Sequence, residues 1–212
     1  MQPLVRPYRG VTPQQRIEQR RTQLIDAAVD LFGTVGYRAA TVDDLCARAG
    51  LSKRYFYESF SSSEELLLAS YQRCTDEILE AMVRAVTEAG TTVDDQLRAA
   101  LSGYFGAIEA DQRRARITLL EILGVSPAVS AAYVAQTERF AYTVQALAPD
   151  VFAAGELPTE QLHLIAQGII GAITTIAAQW LLEDRRRPCT QLIDASHLLV
   201  LAVLDGLPTA VT

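Results

Sequence analysis

Apolar residues recur along this chain every three or four positions and almost nowhere every second position. That period belongs to helices with one buried face. The first stripe, Leu24, Ala28, Leu31 and Val35, follows Thr12-Pro13-Gln14-Gln15, which reads as the N-cap, N1 proline and N3 glutamine of a capping box. Gly36 suits the left-handed end of that helix. Thr41 with Asp44 opens a short second helix that ends at Gly50, and Ser52 caps a third that runs to about Phe60. Ser62 with Glu65 forms another capping box, and the long fourth helix behind it carries Leu67, Tyr71, Cys74, Ile78, Met82 and Ala85 on one stripe. The Thr92-Val93-Asp94-Asp95 start, the Gly124–Pro127 break, the Ala148–Pro158 loop and Pro188 divide the remainder into about five helices. The expected fold is all-α, about nine helices, with a small domain over 1–61 and a larger helical one over 62–212.

Three unequal helices in some fifty residues, the last two joined by Ala49-Gly50-Leu51-Ser52, match a helix-turn-helix. Gly50 supplies positive φ, Leu51 plugs the core, and Ser52 starts the next helix. In that helix Phe56 and Phe60 share a face and pack inward, which turns Lys53, Arg54, Tyr55 and Tyr57 outward. Cations and aromatic hydroxyls at the front of a short helix suit the major groove.

Half of the 212 residues are apolar and 21% are charged, a globular composition. A net charge of −6 would argue against a polyanionic partner if it were spread evenly. It is not. Residues 1–60 hold nine Lys/Arg against six Asp/Glu, a net of +3, and residues 61–212 hold ten against nineteen, a net of −9. Only the first segment is suited to nucleic acid. Three cysteines without metal-ligand spacing leave no disulfide framework or zinc cluster, and with no secretory pattern the expected location is cytoplasmic.

The stretch from Leu24 to Leu66 resembles the DNA-binding domain of the TetR family of bacterial transcriptional regulators. The resemblance runs through Ile25-Asp26-Ala27-Ala28, Leu31-Phe32, Gly36-Tyr37, Thr41-Val42-Asp43-Asp44-Leu45, Ala49-Gly50-Leu51-Ser52, Phe56-Tyr57, Phe60 and Glu64-Glu65-Leu66. It implies a homodimer on a double-stranded operator, with Lys53, Arg54 and Tyr55 as readers beside Ser52. Tyr57 and Thr41 are the implied phosphate contacts, Thr41 at a helix start where an anion is favoured. Cys46, Tyr55 and Ser63 depart from the alanine, small residue and lysine common in the family.

Residues 162–182 carry no formal charge and are long enough to span a bilayer, but Gln161, His163, Gln167, Thr174, Thr175 and Gln179 interrupt them. Leu162, Ile165, Ile169, Ile173, Ile176 and Trp180 form one bulky stripe, and Leu164, Gly168, Gly171, Thr175, Ala178 and Leu182 an opposed one of mostly small residues. A helix with two apolar faces needs two packing partners, its own core and a second subunit rather than a membrane. With Leu199 and Val203 of the last helix, the small stripe is the expected dimer interface.

Tyr71, Cys74, Tyr104, Phe105, Tyr133, Thr137 and Phe140 are candidates for an effector pocket. No catalytic constellation, metal cluster or cofactor loop stands out, so an enzyme is not expected. His163 and His197 read as core or interface residues, and Arg113-Arg114-Arg116 and Arg185-Arg186-Arg187 as solvated helix ends. The functional expectation is a ligand-responsive repressor, with an effector-free dimeric DNA-binding protein as the alternative. The fourth helix is expected to be the only segment touching both the DNA-reading helices and the cavity.

Overall fold

The computed structural model describes residues 12–147 and 157–207, so the N-terminal arm and most of the expected Ala148–Pro158 loop lie outside the described residues. Nine helices follow one another within these limits: α1 (Pro13–Thr34), α2 (Val42–Ala49), α3 (Lys53–Ser59), α4 (Ser63–Thr87), α5 (Val93–Ala110), α6 (Gln112–Arg116), α7 (Pro127–Leu147), α8 (Thr159–Leu182) and α9 (Cys189–Asp205). α6 continues as a π-helical segment, Ile117–Glu121.

The caps account for most of the boundaries. The Thr12–Gln15 and Thr41–Asp44 capping boxes are closed in both directions. Gly50, at φ 67°, closes a Schellman motif: its N–H donates to Ala47 O, and Leu51 N–H donates to Cys46 O at 2.9 Å. Two caps differ from expectation. Ser52 occupies the N-cap of α3 without a side-chain capping bond. Glu65 reaches back past Ser62 to Ser61, accepting from both its N–H and its hydroxyl at 2.7 Å. The extra residue lets one carboxylate bracket the α3–α4 turn.

Two cores form. The first gathers Leu24, Ala28 and Phe32 of α1, Leu45 of α2, Phe56 and Phe60, and Leu66 and Leu67 of α4, all essentially inaccessible. It does not stop at the α3–α4 turn, because Tyr71, Cys74, Ile117, Ile122 and Val129 continue it. The second is built around Ile78, Met82, Leu101, Phe105, Leu119, Ala177, Trp180 and Leu192. Trp180 donates its indole N–H to Arg187 O at 2.8 Å, pinning the α8–α9 turn.

The arginines of α6 keep the solvent exposure expected of a helix end, but each is also paired with an acidic side chain. Arg113 pairs with Asp30 of α1 and Asp111, Arg114 with Glu77 of α4, and Arg116 with Glu121. Arg113 faces α1 because Gly33 lets the helices touch: a methyl at Gly33 would overlap the Arg113 backbone. Burial at that crossing brings acidic partners within reach that lie far away in the chain.

Candidate nucleic-acid interface and effector cavity

α3 is held by its inner face. Phe56 and Phe60 are buried, with ring centroids 6.4 Å apart, and the Arg21 guanidinium lies 4.1 Å over the Phe60 ring. Arg21 also donates to Ser59 O, tying the end of α3 to α1. The opposite face is open: Lys53, Arg54, Tyr55 and Tyr57 are exposed, Tyr57 by 59%.

The two candidate reading cations are paired rather than free. Lys53 Nζ sits 2.8 Å from Asp43 Oδ1, and this hydrogen bond raises its pKa. Arg54 Nε donates to Glu58 Oε1 at 2.9 Å, while Arg20 Nη1 donates to Glu58 Oε2 at 2.8 Å and stacks 4.1 Å over the Tyr55 ring. These hydrogen bonds, Arg54's foremost, hold the Glu58 carboxyl below its ordinary range. Exposed ion pairs contribute about 0–1 kcal/mol, so exchanging a carboxylate for a phosphate or a guanine edge has a small threshold.

Thr41 is differently placed. Its N–H and hydroxyl both donate to Asp44 Oδ2, at 3.0 and 2.6 Å, and its oxygen accepts from Asp44 N–H. The anion at the start of α2 is therefore the chain's own, and a phosphate there would have to displace it. Ser52 has no such commitment.

Two chambers lie within the larger domain. The outer one, about 120 Å³, is walled by α4, α5, α7, α8 and α9, through residues such as Met82, Leu97, Tyr104, Phe140, Ile169, Ile173 and Val200. The inner one, about 50 Å³, is lined by Tyr71, Thr75, Ile78, Thr118, Leu119, Tyr133, Gln136 and Thr137. Tyr104, Phe140, Ile170 and Thr174 line both and form the wall between them. No lining residue among the described residues carries a formal charge. Burial pushes the Tyr71 and Tyr104 phenols well above their ordinary range, so both remain neutral.

Of the seven candidates, Tyr71, Tyr104, Tyr133, Thr137 and Phe140 are on these walls, and Cys74 and Phe105 are not. Cys74 is buried in the first core, where desolvation pushes its thiol up to about 12, and Phe105 is buried in the second. Helix phase explains both corrections. The wall of α4 follows Tyr71, Thr75 and Ile78, a line that passes beside Cys74, and Phe105 is turned 100° from Tyr104. Thr75, Thr118, Gln136 and Thr174 are wall residues that periodicity did not single out, since isolated polar positions in apolar helices look alike until their neighbours are known.

The inner chamber connects to the loop after α1 by a second route besides α4. Thr118 and Leu119 of the π segment line the inner chamber, and on the same segment Glu121 Oε2 accepts from Tyr37 N–H at 2.8 Å. Glu121 Oε1 accepts from Arg116 at 2.8 Å, and a methyl on Gly36 (φ 95°) would meet both carboxylate oxygens at 3.3 Å. Besides α4, which was expected to join the two regions, the π segment thus ties the inner chamber to the loop that leads into α2.

The expected interface stripe is open on the protomer. Leu164 and Leu182 are 60% and 67% exposed, Gly168, Gly171 and Thr175 are exposed, and Cβ atoms at both glycines would meet nothing within 4 Å. Leu199 is exposed, and Ala178 and Val203 are half-buried. Leu198, not in the expected set, is the most exposed at 69%. His197 lies 2.9 Å from Asp94 Oδ1 of α5, a carboxylate partner that sequence spacing concealed.

An outward-facing α3 behind a Schellman turn, carried on an all-helical domain, is the arrangement of a helix-turn-helix transcriptional regulator. Residues 24–70 match the family model for bacterial regulatory proteins of the tetR family, and residues 90–204 the tetracycline-repressor-like C-terminal domain. The chain belongs to the TetR family, whose members regulate transcription and are not enzymes. It is 34% identical over 170 residues to the transcriptional activator FasR of Mycolicibacterium smegmatis, a match covering 79% of this chain and 75% of that one. The fatty acid degradation regulator FadR of Bacillus halodurans superposes with a TM-score of 0.74 at 23% identity, over 90% of this chain and 97% of that one. FadR of Bacillus subtilis in complex with stearoyl-CoA superposes with a TM-score of 0.73 at 19% identity, over 85% and 97%.

Proposed function

We propose that this regulator is a cytoplasmic homodimer that binds a pseudo-palindromic operator through two copies of α3 and releases it when a largely hydrocarbon effector fills the chambers. The observation that carries the reading is the pair of adjoining chambers, uncharged among the described residues, of which the inner is bordered by the π segment that grips Tyr37 through Glu121. Relatives named for fatty-acid regulation support an acyl chain as the occupant. The alternative, a dimer without an effector, calls for a filled core, and the chambers argue against it.

Residues 1–61 serve as the reading head and 62–212 as the sensing and dimerising unit, although their packing is continuous. Ser52, Lys53, Arg54, Tyr55 and Tyr57 contact DNA, with Thr41 at the rim. The face Leu164, Gly168, Gly171, Thr175, Ala178 and Leu182, with Leu199 and Val203, seats the second copy. α8 is long and apolar enough to cross a membrane, but its other face lines the outer chamber and seats Trp180, which favours a protein partner.

An occupant that displaces Thr118 shifts the π segment and with it the hold of Glu121 on the head. A tenfold fall in operator affinity requires about 1.4 kcal/mol of differential binding. Repression follows when the released site overlaps a promoter. Activation, as in the name of the mycobacterial relative, follows when the bound dimer sits upstream. Selection of bound fragments from a genomic pool, followed by footprinting with and without stearoyl-CoA, tests the reading. A symmetric footprint that shrinks with the acyl-CoA supports it, and a footprint indifferent to lipophilic ligands sinks the effector half.

A further inference from the structure

The outer chamber is a place for hydrocarbon, but the inner one has more polar groups than a hydrocarbon needs. Three of its four threonine protons are already committed: Thr75 donates to Tyr71 O at 3.0 Å, Thr118 to Arg114 O at 3.1 Å and Thr137 to Tyr133 O at 3.0 Å. Towards the chamber these hydroxyls offer lone pairs. Gln136 is the opposite case. It lines the chamber, is only 4% exposed, and its side-chain Nε2 has no hydrogen-bond partner. An amide turns easily about its last torsion, so this donor can be presented to whatever the chamber holds. A buried donor without a partner is unfavourable, and a ligand that supplies an acceptor recovers the loss.

The same walls say which acceptor. Among the described residues no lining side chain is cationic, so a carboxylate drawn inside would lack a counter-charge on these walls. An uncharged carbonyl meets the amide without that penalty. We propose that the inner chamber is a head-group site for an uncharged hydrogen-bond acceptor, a ketone, ester or lactone carbonyl, carried on a hydrocarbon chain that fills the outer chamber, with Gln136 as the donor that reads it. The inference rests on the reading above that a largely hydrocarbon effector fills the chambers, and it narrows that effector to one ending in a small uncharged carbonyl, in place of an acyl-CoA, whose carbonyl is joined to a large anionic group.

Three nine-carbon probes test it on the full-length protein at neutral pH: 2-nonanone, 1-nonene and nonanoate, with affinity taken from the rise in melting temperature at several ligand concentrations. The wild type should prefer the ketone over the alkene, although the alkene is the more hydrophobic, and should bind nonanoate more weakly than the ketone. Gln136→Leu should weaken the ketone about tenfold and move the alkene by less than about twofold. Retained alkene binding shows that the variant folds, and Gln136→Met, which keeps the volume, should repeat the result. If Gln136→Leu does not fold, the wild-type preference decides alone. Equal loss of ketone and alkene, or loss of neither, would mean a packing residue or an amide served only by water. Tight nonanoate binding indifferent to Gln136 would put the polar end of the ligand outside. If none of the three binds the wild type, the effector cavity fails and this inference fails with it.

Discussion

The reading head and the sensing domain solve the same problem, the burial of apolar helix faces, to different degrees. In the head Phe32, Phe56, Phe60 and Leu45 are essentially inaccessible, and every short helix is bounded by a cap or a tight turn. In the sensing domain α5, α7, α8 and α9 enclose space instead of filling it, and α8 leaves leucines and glycines open on its other side. A reading head has to present a fixed surface, so close packing serves it. The sensing role proposed for the larger domain needs a vacancy with a nearly balanced alternative, and incomplete packing is how a helical domain provides one.

The contrast can be broken most directly by truncation and filling. Phe56→Ala should lower stability by about 3–5 kcal/mol, since it empties a site with no room to collapse. Ile169→Phe, facing the outer chamber, should cost under about 1 kcal/mol, because the added volume has somewhere to go. Urea melts of both variants check this, and comparable losses would mean that the chamber closes in solution.

Gly171→Leu probes the open side. A branched chain there meets nothing in the protomer, so the fold should survive while dimerisation weakens by about 1–3 kcal/mol through overpacking. Sedimentation at micromolar concentration reads the outcome, and a wild type that is already monomeric would remove the basis for it. DNA binding should fall with the dimer, because one half-site alone is weak.

On the head, Arg54→Ala should weaken operator binding by about 1–3 kcal/mol and relax preference at one position per half-site. Tyr57→Phe should weaken all sequences alike, as a phosphate contact does. Competition against a randomised half-site separates the two, and a footprint indifferent to Arg54 would move base reading elsewhere.

The smallest effect is expected at the join. Glu121→Gln keeps the size of the side chain but removes the charge that holds Arg116 and strengthens the bond to Tyr37 N–H. Effector response should change by about 0.5–2 kcal/mol while effector affinity itself changes little. Operator titrations with and without stearoyl-CoA measure it. An unchanged response would return the coupling to α4.

What local chemistry dictates was legible without coordinates. Thr12, Thr41, Ser62 and Thr92 accept the hydrogen bonds their spacing implied, Gly50 takes the positive φ its turn required, and Phe56 with Phe60 turns Tyr55 and Tyr57 outward. These outcomes depend on residues within one or two turns of each other. The cavity wall and the join to the head do not. Whether Tyr71 is followed along the wall by Cys74 or by Thr75 depends on where α7 crosses α4. Arg113, an exposed helix end, is also tied across the seam because Asp30, eighty-three positions earlier, lies beside it. A period of 3.6 residues identifies a buried face, but only the packing of distant helices decides whether that face meets a side chain, a backbone or a vacancy.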